Sequence, residues 1–535
     1  MTDIFRRLLA RRGLDEDFLR PKYEDLFDPF LMQGMRAAVR RIEKARDQGE
    51  RVVVFGDYDA DGVTASVVMY EALRSFGCED VEVILPDRFV DGYGLGESAE
   101  AKVLAAGATL VVTVDNGSGS EAVIARLKQE GIETIVTDHH QIPQLPQSAV
   151  AVINPQRADE RYGKKMAGVG VAFCVARALN ATQNGGECDG QEKWLLDLVV
   201  IGTICDSMVL RDENRILSYF GMLVLSKTRR VGLKELAKTA GVQLASLDTH
   251  VIGFQLGPRI NAAGRLKSAE LALRLLMAKH RDEAFLLAQE LEALNQERRR
   301  MQDVAAQEIA EQYRSEERVL VMQGAWHEGV VGIIAGQAVE KYHKPAFALT
   351  EVGGGVVKGS GRSFGEFSLA QALEHCRDCL IGGGGHALAC GITLRTEAVD
   401  DLRHELNEYY DSLGLKAQEK YLVRPTDLEL DNLKGIDLTL YDEISQLAPF
   451  GEGNEEPLFE IRVRVVGRRL LKERHLALTV ADDCGNEMKM MAFYAPEEWL
   501  AVRAGDELGL QFSLTKNEWR GVTKIEATIT DLKQI

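Results

Sequence analysis

Residues 51–153 restrict the fold more than any other part of the chain, because short apolar β-branched runs alternate there with helical periods. The strand-like runs are 51–55, 81–85, 110–114, 134–137 and 149–153, with helical periods such as 63–76 and 120–129 between them. Strands separated by helices pair in parallel, since each crossover helix returns the chain to the same edge of the sheet. The pattern therefore predicts an α/β fold built on a parallel sheet.

Acidic and histidine residues follow three of these predicted strands. They are Asp57, Asp59 and Asp61 after the first strand, Asp115 after the third, and Asp138, His139 and His140 after the fourth. The carboxyl ends of the strands form the ligand crevice of an open α/β sheet, so residues far apart in sequence converge there. Carboxylates with imidazoles suit Mn²⁺ or Mg²⁺, and these clusters offer ligands for two ions about 4 Å apart, an arrangement that serves phosphoryl transfer.

The alternative is that these aspartates cap the N-termini of helices, where Asp is a favoured residue. Asp57, Asp59 and Asp61 cannot all be caps, because like charges crowded into one loop repel each other unless a cation compensates them. The repetition of acidic clusters at three strand ends therefore favours a metal site.

Three further regions follow the parallel-sheet unit. Residues 268–312 form a long, charged helical stretch whose apolar face is Leu271, Leu275, Leu287, Leu291 and Leu294, which predicts a connector rather than a core helix. A second α/β unit is predicted at 316–412, and short alternating strands at 458–530 predict a small antiparallel barrel of the OB type. The expected domains are 1–215, 216–315, 316–412 and 413–535.

The net charge of −18, from 82 acidic and 64 basic residues, argues against a nucleic-acid partner when it is taken alone. A basic cluster in the predicted barrel argues the other way, and it comprises Arg462, Arg464, Arg468, Arg469, Lys472 and Arg474. The same barrel carries Phe493, Tyr494, Phe512 and Trp519. Basic and aromatic side chains together hold single strands, although aromatic residues also fill barrel cores.

The sequence gives little sign of membrane insertion, secretion or disulfide bonding. We find no apolar run suited to a membrane helix or a secretory signal, so we expect a cytoplasmic protein without a membrane partner. The 8 cysteines are too sparse for a disulfide framework. Cys376 and Cys379 form one CxxC near His375 and His386, which either binds zinc or, as we favour, consists of reduced structural thiols.

Several motifs resemble those of a known superfamily. GDYDADG (56–62), VDNG (114–117), TDHH (137–140) and GTICD (202–206) are similar, in this order, to the motifs of the DHH phosphoesterases. Further segments resemble one branch, the bacterial RecJ single-strand DNA exonucleases: PDRFVDGYG (86–94), GPRINAAGRL (257–266), WHEGVVGIIAG (326–336), SGRS (360–363), GGGGHALACG (382–391) and LAPFGEGNEEPLF (447–459). The resemblance extends from about residue 50 to the C-terminus.

The resemblance implies a DHH domain, a helical connector, a DHHA1 domain and an OB domain. It also implies a metal-dependent 5′→3′ exonuclease that degrades single-stranded DNA to 5′-mononucleotides in DNA repair and recombination. The implied ligands of two Mn²⁺ or Mg²⁺ ions are Asp59, Asp61, Asp115, His139 and Asp206, with Asp57 in the same loop. One position departs from the pattern, since Phe55 stands where many members have a metal-binding histidine. His140 is either a catalytic residue or a structural, hydrogen-bonded histidine.

The resemblance also assigns substrate contacts. Arg259 would face the scissile phosphate, Arg88, Ser360 and Arg362 would hold the 5′-terminal phosphate, Tyr93 would stack on a base, and His386 would contact the substrate. Asn261 lies between Arg259 and Arg265 in a predicted turn marked by glycine and proline. Ser360 and Arg362 are predicted to lie in a glycine-bounded loop.

The implied partners are single-stranded DNA, a helicase and a single-strand-binding protein. Two alternatives stay open: a phosphodiesterase acting on short oligoribonucleotides or cyclic dinucleotides, and a non-catalytic replication scaffold. The barrel argues against the first alternative, because a small substrate needs no extra strand-binding domain. The acidic residues argue against the second, because a scaffold needs none of them.

Overall fold

The computed structural model of the protein describes residues 1–92, 94–141, 144–160, 164–415, 418–421, 424–519 and 522–535. The helices are α1 (Asp3–Arg12), α2 (Glu16–Leu19), α3 (Met35–Gln48), α4 (Ala60–Phe76), α5 (Glu97–Ala105), α6 (Glu121–Gln129), α7 (Gly168–Gln183), α8 (Leu196–Cys205), α9 (Asp212–Leu225), α10 (Val231–Thr239), α11 (Thr249–Val251), α12 (Gly257–Leu266), α13 (Glu270–Met277), α14 (Arg281–Gln312), α15 (Val331–Tyr342), α16 (Leu369–His375), α17 (Val399–Ser412) and α18 (Leu438–Ser445). The strands are β1 (Val52–Phe55), β2 (Val81–Ile84), β3 (Leu110–Val114), β4 (Glu133–Thr137), β5 (Ala151–Ile153), β6 (Leu320–Gln323), β7 (Ala346–Gly353), β8 (Val356–Arg362), β9 (Leu380–Gly385), β10 (Ala389–Arg395), β11 (Leu428–Leu430), β12 (Phe459–Leu471), β13 (His475–Ala481), β14 (Glu487–Ala492), β15 (Glu507–Trp519) and β16 (Val522–Gln534).

The first sheet has the strand order β2-β1-β3-β4-β5, and every pairing in it is parallel, as predicted. Helices cover both faces, so alternate residues of one strand enter different cores. Val52 and Val54 pack with α3, α4 and α7, whereas Val53 and Phe55 pack with α5 and α6. Phe55 is fully buried in that second core, which explains why an apolar residue occupies the position.

The predicted helical stretch 268–312 divides into α13 and α14, and its first part is not merely a connector. Leu287 and Leu291 are buried in the core of the parallel-sheet domain, because α14 packs there against α10 and α12. Near its other end, Ala305 and Ile309 pack into the core of the next domain. The helix therefore joins two domains by contributing to the core of each.

The second sheet has the order β6-β7-β8-β10-β9 and is parallel only between β6 and β7. Ser360 and Arg362 lie on strand β8, so the prediction of a glycine-bounded loop is wrong. The glycines serve close packing within the sheet, since a Cβ at Gly361 would lie 2.6 Å from the Sγ of Cys390.

The C-terminal strands form a closed barrel in the order β12-β13-β14-β16-β15, and β15 pairs back onto β12. These pairings are antiparallel except for that between β14 and β16. The N-terminal helix α1 belongs to this barrel in space, because Phe5 and Leu8 pack in its core and Arg12 binds Asp427 through two contacts of 2.7 and 2.8 Å. Within the described residues, the helices are too short or too polar to cross a membrane.

Candidate metal centre and phosphate-binding cleft

Seven acidic and histidine residues meet at the carboxyl end of the first sheet. Three sets have ligand atoms within 4.8 Å of one another: Asp57, Asp59 and Asp115; Asp61, His139 and Asp206; and Asp115, His139 and His140. They converge because β1, β3 and β4 are neighbours in the sheet and all end at this edge, while Asp206 directly follows α8. The structure thus brings together every predicted ligand, and their roles in binding metal stay a prediction.

The imidazole of His139 lies at the centre of this group. Its Nε2 is 3.0 Å from Oδ1 of Asp115 and 3.8 Å from Oδ2 of Asp61, and its Nδ1 is 3.8 Å from Oδ2 of Asp206. Burial and the neighbouring His140 lower the pKa of His139 to about 4. The imidazole is therefore neutral near pH 7, which is the form that binds a metal.

The carboxylates are crowded in a buried site. Burial, followed by the charges of neighbouring carboxylates, raises the pKa values of Asp57, Asp61 and Asp115 well above the usual range for Asp. Burial and the charge of Asp59 raise the pKa of Asp206 to about 7. A buried Oδ1 of Asp57 has no hydrogen-bond partner among the described residues. Hard oxygen ligands with one neutral imidazole fit Mn²⁺ or Mg²⁺, and a cation would relieve the repulsion.

Backbone amides orient two of these carboxylates. Asp59 caps α4, because its Oδ1 accepts hydrogen bonds from the amides of Asp61 and Gly62 at 2.9 and 3.0 Å. Asp61 in turn accepts from the amides of Gly168 and Val169 at the start of α7. Helix capping therefore accounts for one oxygen of Asp59.

Asp115 approaches α7 so closely that only glycine fits opposite it. A Cβ at Gly168 would lie 2.5 Å from the Cβ of Asp115. The backbone of Asp115 is itself left-handed, with φ of 61°, a conformation that costs free energy for a residue other than glycine. This strained turn directs its carboxylate towards His139.

His140 is held by Asp138. Its Nδ1 lies 2.8 Å from Oδ1 of Asp138, whose carboxylate also accepts from the amides of Ser118, His139 and His140. Burial alone would lower the pKa of His140, but the hydrogen bond to Asp138 and the charges of nearby carboxylates outweigh it and raise the pKa. Hydrogen bonding outweighs burial for Asp138 as well, so its pKa is lowered.

Three partly buried arginines from three segments of the chain converge beside the acidic group. The Cζ of Arg88 lies 5.0 Å from the centre of the Tyr58 ring, and Nη1 of Arg362 donates to Oγ of Ser360 at 2.8 Å. Arg265 lies near both of them, and burial, followed by the charge of Arg88, lowers its pKa to about 10. Asp59 and Arg362 also influence that pKa, so Arg265 lies near both the other arginines and the acidic group.

These arginines form a ready site for an anion. Over the described ranges, no carboxylate lies within 4.0 Å of the guanidinium groups of Arg88, Arg265 or Arg362. Like charges held together with little solvent are costly unless an anion joins them. Arginine guanidinium groups match the oxygens of phosphate, so the cleft suits a phosphate group beside the metal centre.

Comparisons with known proteins agree with this geometry. Family models match residues 51–203 (DHH family, N-terminal domain), 316–412 (DHHA1 domain) and 426–531 (RecJ OB domain). The single-stranded-DNA-specific exonuclease RecJ of Bacillus subtilis (strain 168) is 36% identical over 548 residues, covering 99% of this chain and 68% of that protein. The chain belongs to the RecJ exonuclease family.

Crystal structures of RecJ from Thermus thermophilus share the fold. The complex with Mn²⁺ has a TM-score of 0.85 at 30% identity and covers 99% of this chain and 75% of that one. The complex with Mg²⁺ has a TM-score of 0.80 at 28% identity, with 99% and 74% coverage. The predicted fold class and membership of the RecJ family are thereby confirmed.

The other predicted RecJ substrate residues have varied surroundings. Arg259 and Asn261 lie on helix α12, not in a turn, because Pro258 is tolerated in the first turn of a helix. The amide oxygen of Asn261 accepts from the amide of Ala60 at 2.8 Å, so it joins α12 to the start of α4. His386 is exposed between β9 and β10. Tyr93 lies outside the described residues.

Two arginines near the cleft received no role from the motifs. Arg265 is part of GPRINAAGRL and lies six residues after Arg259 on α12. This position in the same motif was the sequence signal that could have placed Arg265 near the cleft. Arg298 on α14 is partly buried and donates to Oδ1 of Asn295 at 2.9 Å. Burial, followed by the charges of Arg299 and Arg259, lowers its pKa, so it lies near Arg259. It was missed because the run of three arginines at 298–300 reads as a solvated helix face.

The aromatic residues of the RecJ-type barrel divide into two classes. Phe512 is fully buried and packs on Phe459 with ring centres 5.8 Å apart, so it belongs to the barrel core. Phe493 and Tyr494 are 56% and 68% exposed and lie beside the ring of His475. The side chain of Trp519 lies outside the described part of the chain.

Cys376 and Cys379 are free thiols. Burial and the Glu405 carboxylate raise the pKa of Cys376 to about 12 and that of Cys379 to about 11. Among the described residues, neither thiol belongs to a group of three or more side chains that could hold a metal ion. The structure therefore agrees with reduced structural thiols.

Proposed function

We propose that the protein is a metal-dependent exonuclease that degrades single-stranded DNA in the 5′→3′ direction to 5′-mononucleotides, in DNA repair and recombination. The observation that carries the proposal is the juxtaposition of a carboxylate and imidazole group with the anion site of Arg88, Arg265 and Arg362, with Asp59 close to both. The names of the curated relatives, which are single-stranded-DNA-specific exonucleases, support the substrate class.

In this proposal Asp59, Asp61, Asp115, His139 and Asp206 hold two Mn²⁺ or Mg²⁺ ions, with Asp57 completing or orienting the site. When bound, the ions would supply an activated water and stabilise the leaving oxygen of a phosphodiester. The neutral imidazole of His139 offers a lone pair to this site.

Two basic side chains would act on the phosphate. Asp138 orients the His140 ring and raises its pKa, and His140 would donate to a phosphate oxygen when it is protonated. Arg259 would neutralise charge that develops on the scissile phosphate. The ion pair with Glu292 fixes the orientation of the Arg259 guanidinium for this role. These roles belong to residues that the fold already holds in place.

Direction requires a stop for the 5′ end of the strand. Arg88, Ser360 and Arg362 would bind the terminal phosphate, which carries more charge than an internal phosphate and gains more from a guanidinium fork. Arg88 precedes α5 and Arg362 ends β8, so the stop is built from two domains. A passage between these domains would admit one strand and exclude a duplex.

Other parts of the chain have proposed roles outside the metal site. We assign catalysis to the predicted domain 1–215 without its helix α1, the connector to 216–315, the DHHA1 domain to 316–412, and strand binding to 413–535 together with α1, which packs in the barrel core. Tyr93 and His386 would contact the substrate. A helicase and a single-strand-binding protein would supply single strands in the cytoplasm. Co-purification of the protein with each candidate partner tests this proposal.

The experiment is a turnover assay on long single strands labelled at the 5′ or the 3′ end, with Mn²⁺ or with EDTA. We expect a 5′ label to be released at once as a mononucleotide, and a 3′ label to remain on a shortening strand. Short RNA and a cyclic dinucleotide serve as competing substrates. Faster cleavage of either small substrate would favour a phosphodiesterase, and absence of turnover with every metal tested would favour a scaffold.

A further inference from the structure

The buried face of helix α14 changes from apolar to polar between the two domains that the helix joins. Residues 291, 295, 298, 302 and 305 follow the three- and four-residue spacing of a single helix face. Leu291 is buried in the core of the parallel-sheet domain, and Ala305, about 21 Å further along the helix, is buried in the core of the second domain. Asn295, Arg298 and Gln302 lie between them, so α14 turns a polar segment towards the junction of the two domains.

Arg298 lies at this junction without an acidic partner. Its Nη2 donates to Oδ1 of Asn295 at 2.9 Å, whereas its Nε is buried and has no hydrogen-bond partner among the described residues. In the same part of the chain, no carboxylate lies within 4.0 Å of its guanidinium. The carboxylate of Glu292 does not compensate it, since its two oxygens accept from Arg259 and Gln296. A guanidinium that loses solvent without a counter-charge is costly, so this position favours an incoming anion.

Two arginines of α12 lie near Arg298. Burial, followed by the charges of Arg299 and Arg259, lowers the pKa of Arg298. Burial and the charges of Arg88 and Arg298 likewise lower the pKa of Arg265 to about 10. Arg259, Arg265 and Arg298 therefore form one cationic group. Guanidinium groups held together with little solvent repel one another unless an anion lies among them.

We propose that Arg298 binds the backbone phosphate on the 3′ side of the scissile phosphate, an inference that rests on the proposed exonuclease function. Nη1 of Arg298 makes no hydrogen bond within the described residues, and the residue is partly exposed, so a donor is available. Arg88 and Arg362 are assigned to the terminal phosphate and Arg259 to the scissile one. Removal of one nucleotide at a time leaves no other phosphate on the 5′ side, so an additional arginine beside Arg259 meets the next linkage of the strand. A guanidinium group matches the oxygens of that linkage.

This contact makes the length of the substrate matter at the cleft itself. A 5′-phosphorylated dinucleotide carries only the terminal and the scissile phosphate, whereas a 5′-phosphorylated trinucleotide carries the third phosphate that Arg298 binds. A hydrogen bond to a charged group is worth on the order of tenfold or more in affinity. Arg298 is therefore a specificity-determining residue that favours strands over dinucleotides.

The test compares two 5′-phosphorylated trinucleotides that differ only at the second internucleotide linkage, which is a phosphate in one and an uncharged methylphosphonate in the other. Release of the first nucleotide by the full-length protein with Mn²⁺ gives kcat/KM for each. We expect the wild type to favour the charged trinucleotide by about tenfold or more, and Arg298→Ala to lose that preference, because the variant lacks the contact to that charge. Arg298→Lys should retain part of the preference. Arg300→Ala should retain all of it, because Arg300 is exposed and bound to Glu297 on the same helix.

The 5′-phosphorylated dinucleotide provides a second measurement. The loss caused by Arg298→Ala should be about tenfold greater on the charged trinucleotide than on the dinucleotide, and equal losses would overturn the proposal, because Arg298 would then act on the scissile phosphate or on the fold. Equal cleavage of the two trinucleotides by the wild type would also overturn it, and that result needs no variant that must fold. Absence of wild-type turnover on all three substrates would contradict the proposed nuclease function itself, and this inference with it.

Discussion

The guanidinium of Arg259 is bound to the carboxylate of Glu292, with Nε of the arginine 2.5 Å from Oε2 of the glutamate. Nη1 of the same arginine donates to the backbone oxygen of Gln255 at 2.6 Å. Arg259 is 6% exposed, so these contacts fix the direction of its remaining donors. Glu292 of α14 therefore positions Arg259 of α12, which is proposed to bind the scissile phosphate.

Glu292→Ala should lower kcat about 10- to 100-fold, because a misplaced catalytic group costs rates of that order. Binding of long single strands should change little, since few contacts to the strand are lost. Steady-state kinetics with Mn²⁺ measures both quantities. Glu290→Ala is the matched control, because Glu290 lies on the same helix as Glu292 and its ion pair with Lys267 is exposed. Equal effects of the two changes would contradict a positioning role for Glu292.

Asp115→Asn should abolish turnover while the chain still folds. Asparagine tolerates the left-handed backbone at this position and relieves repulsion within the acidic group. Thermal melting should show metal-free stability at least equal to that of the wild type, and a smaller rise in Tm on adding Mn²⁺. Near-normal turnover, or an unchanged Mn²⁺ effect on Tm, would show that Asp115 is not a ligand. Asp115→Ala should behave likewise in turnover.

Without metal, the stability of the protein should fall as pH rises towards neutrality. The pKa of Asp206 is raised to about 7 in the folded protein, from about 3.9 in an unfolded chain. For an acid whose folded pKa is raised, the contribution to stability is fully present below pH 4 and is lost as pH rises through 7. Asp206→Asn should therefore raise Tm at pH 8 but not at pH 4, when melting is measured in EDTA. Asp212→Asn, at a surface carboxylate bound to Lys164, should show no such difference.

Arg362→Ala should reduce cleavage of 5′-phosphorylated single strands more than cleavage of 5′-hydroxyl strands. The physical reason is that a terminal phosphate carries the larger charge and gains most from a guanidinium. Adding Arg88→Ala should nearly erase the preference. The measurement is kcat/KM for both substrates with each variant. Equal losses on both substrates would mean that these arginines bind only the internal backbone.

The barrel should bind long strands through its exposed rings. Phe493→Ala and Tyr494→Ala should each weaken binding of a long single strand by about 5- to 150-fold, because stacking on a base is worth roughly 1–3 kcal/mol. Fluorescence titration at several salt concentrations measures affinity, and the salt dependence should be nearly unchanged because no charge is removed. Val352→Ala, an exposed apolar residue of the second domain, is the control. Unchanged affinity in both aromatic variants would exclude a stacking role.

Removing residues 424–535 should likewise weaken binding to long strands, leave some cleavage and reduce the salt dependence. Phe5 and Leu8 would lose their apolar partners in such a truncation. A second truncation therefore lacks residues 1–20 as well as residues 424–535. Affinity for long strands unchanged by either truncation would give the barrel another role.

The sequence by itself determined the parallel sheet, the barrel and the acidic group. Strand periodicity is local, so β1, β3 and β4 could be predicted within a residue or two. The carboxyl ends of parallel strands necessarily share an edge, which is why Asp57, Asp115 and His139 could be grouped although they span more than 80 positions. The motifs then related this group to one family.

Only the tertiary structure decided which charges meet across domains. No local pattern shows that Arg265 lies near Arg88 and Arg362, that Glu292 holds Arg259, or that α1 enters the barrel core, because these contacts depend on how separate units pack. The same holds for burial, which makes Phe512 a core residue and leaves Phe493 available to a ligand. Local sequence sets which elements form, whereas packing sets which side chains lose solvent and therefore acquire shifted pKa values and fixed partners.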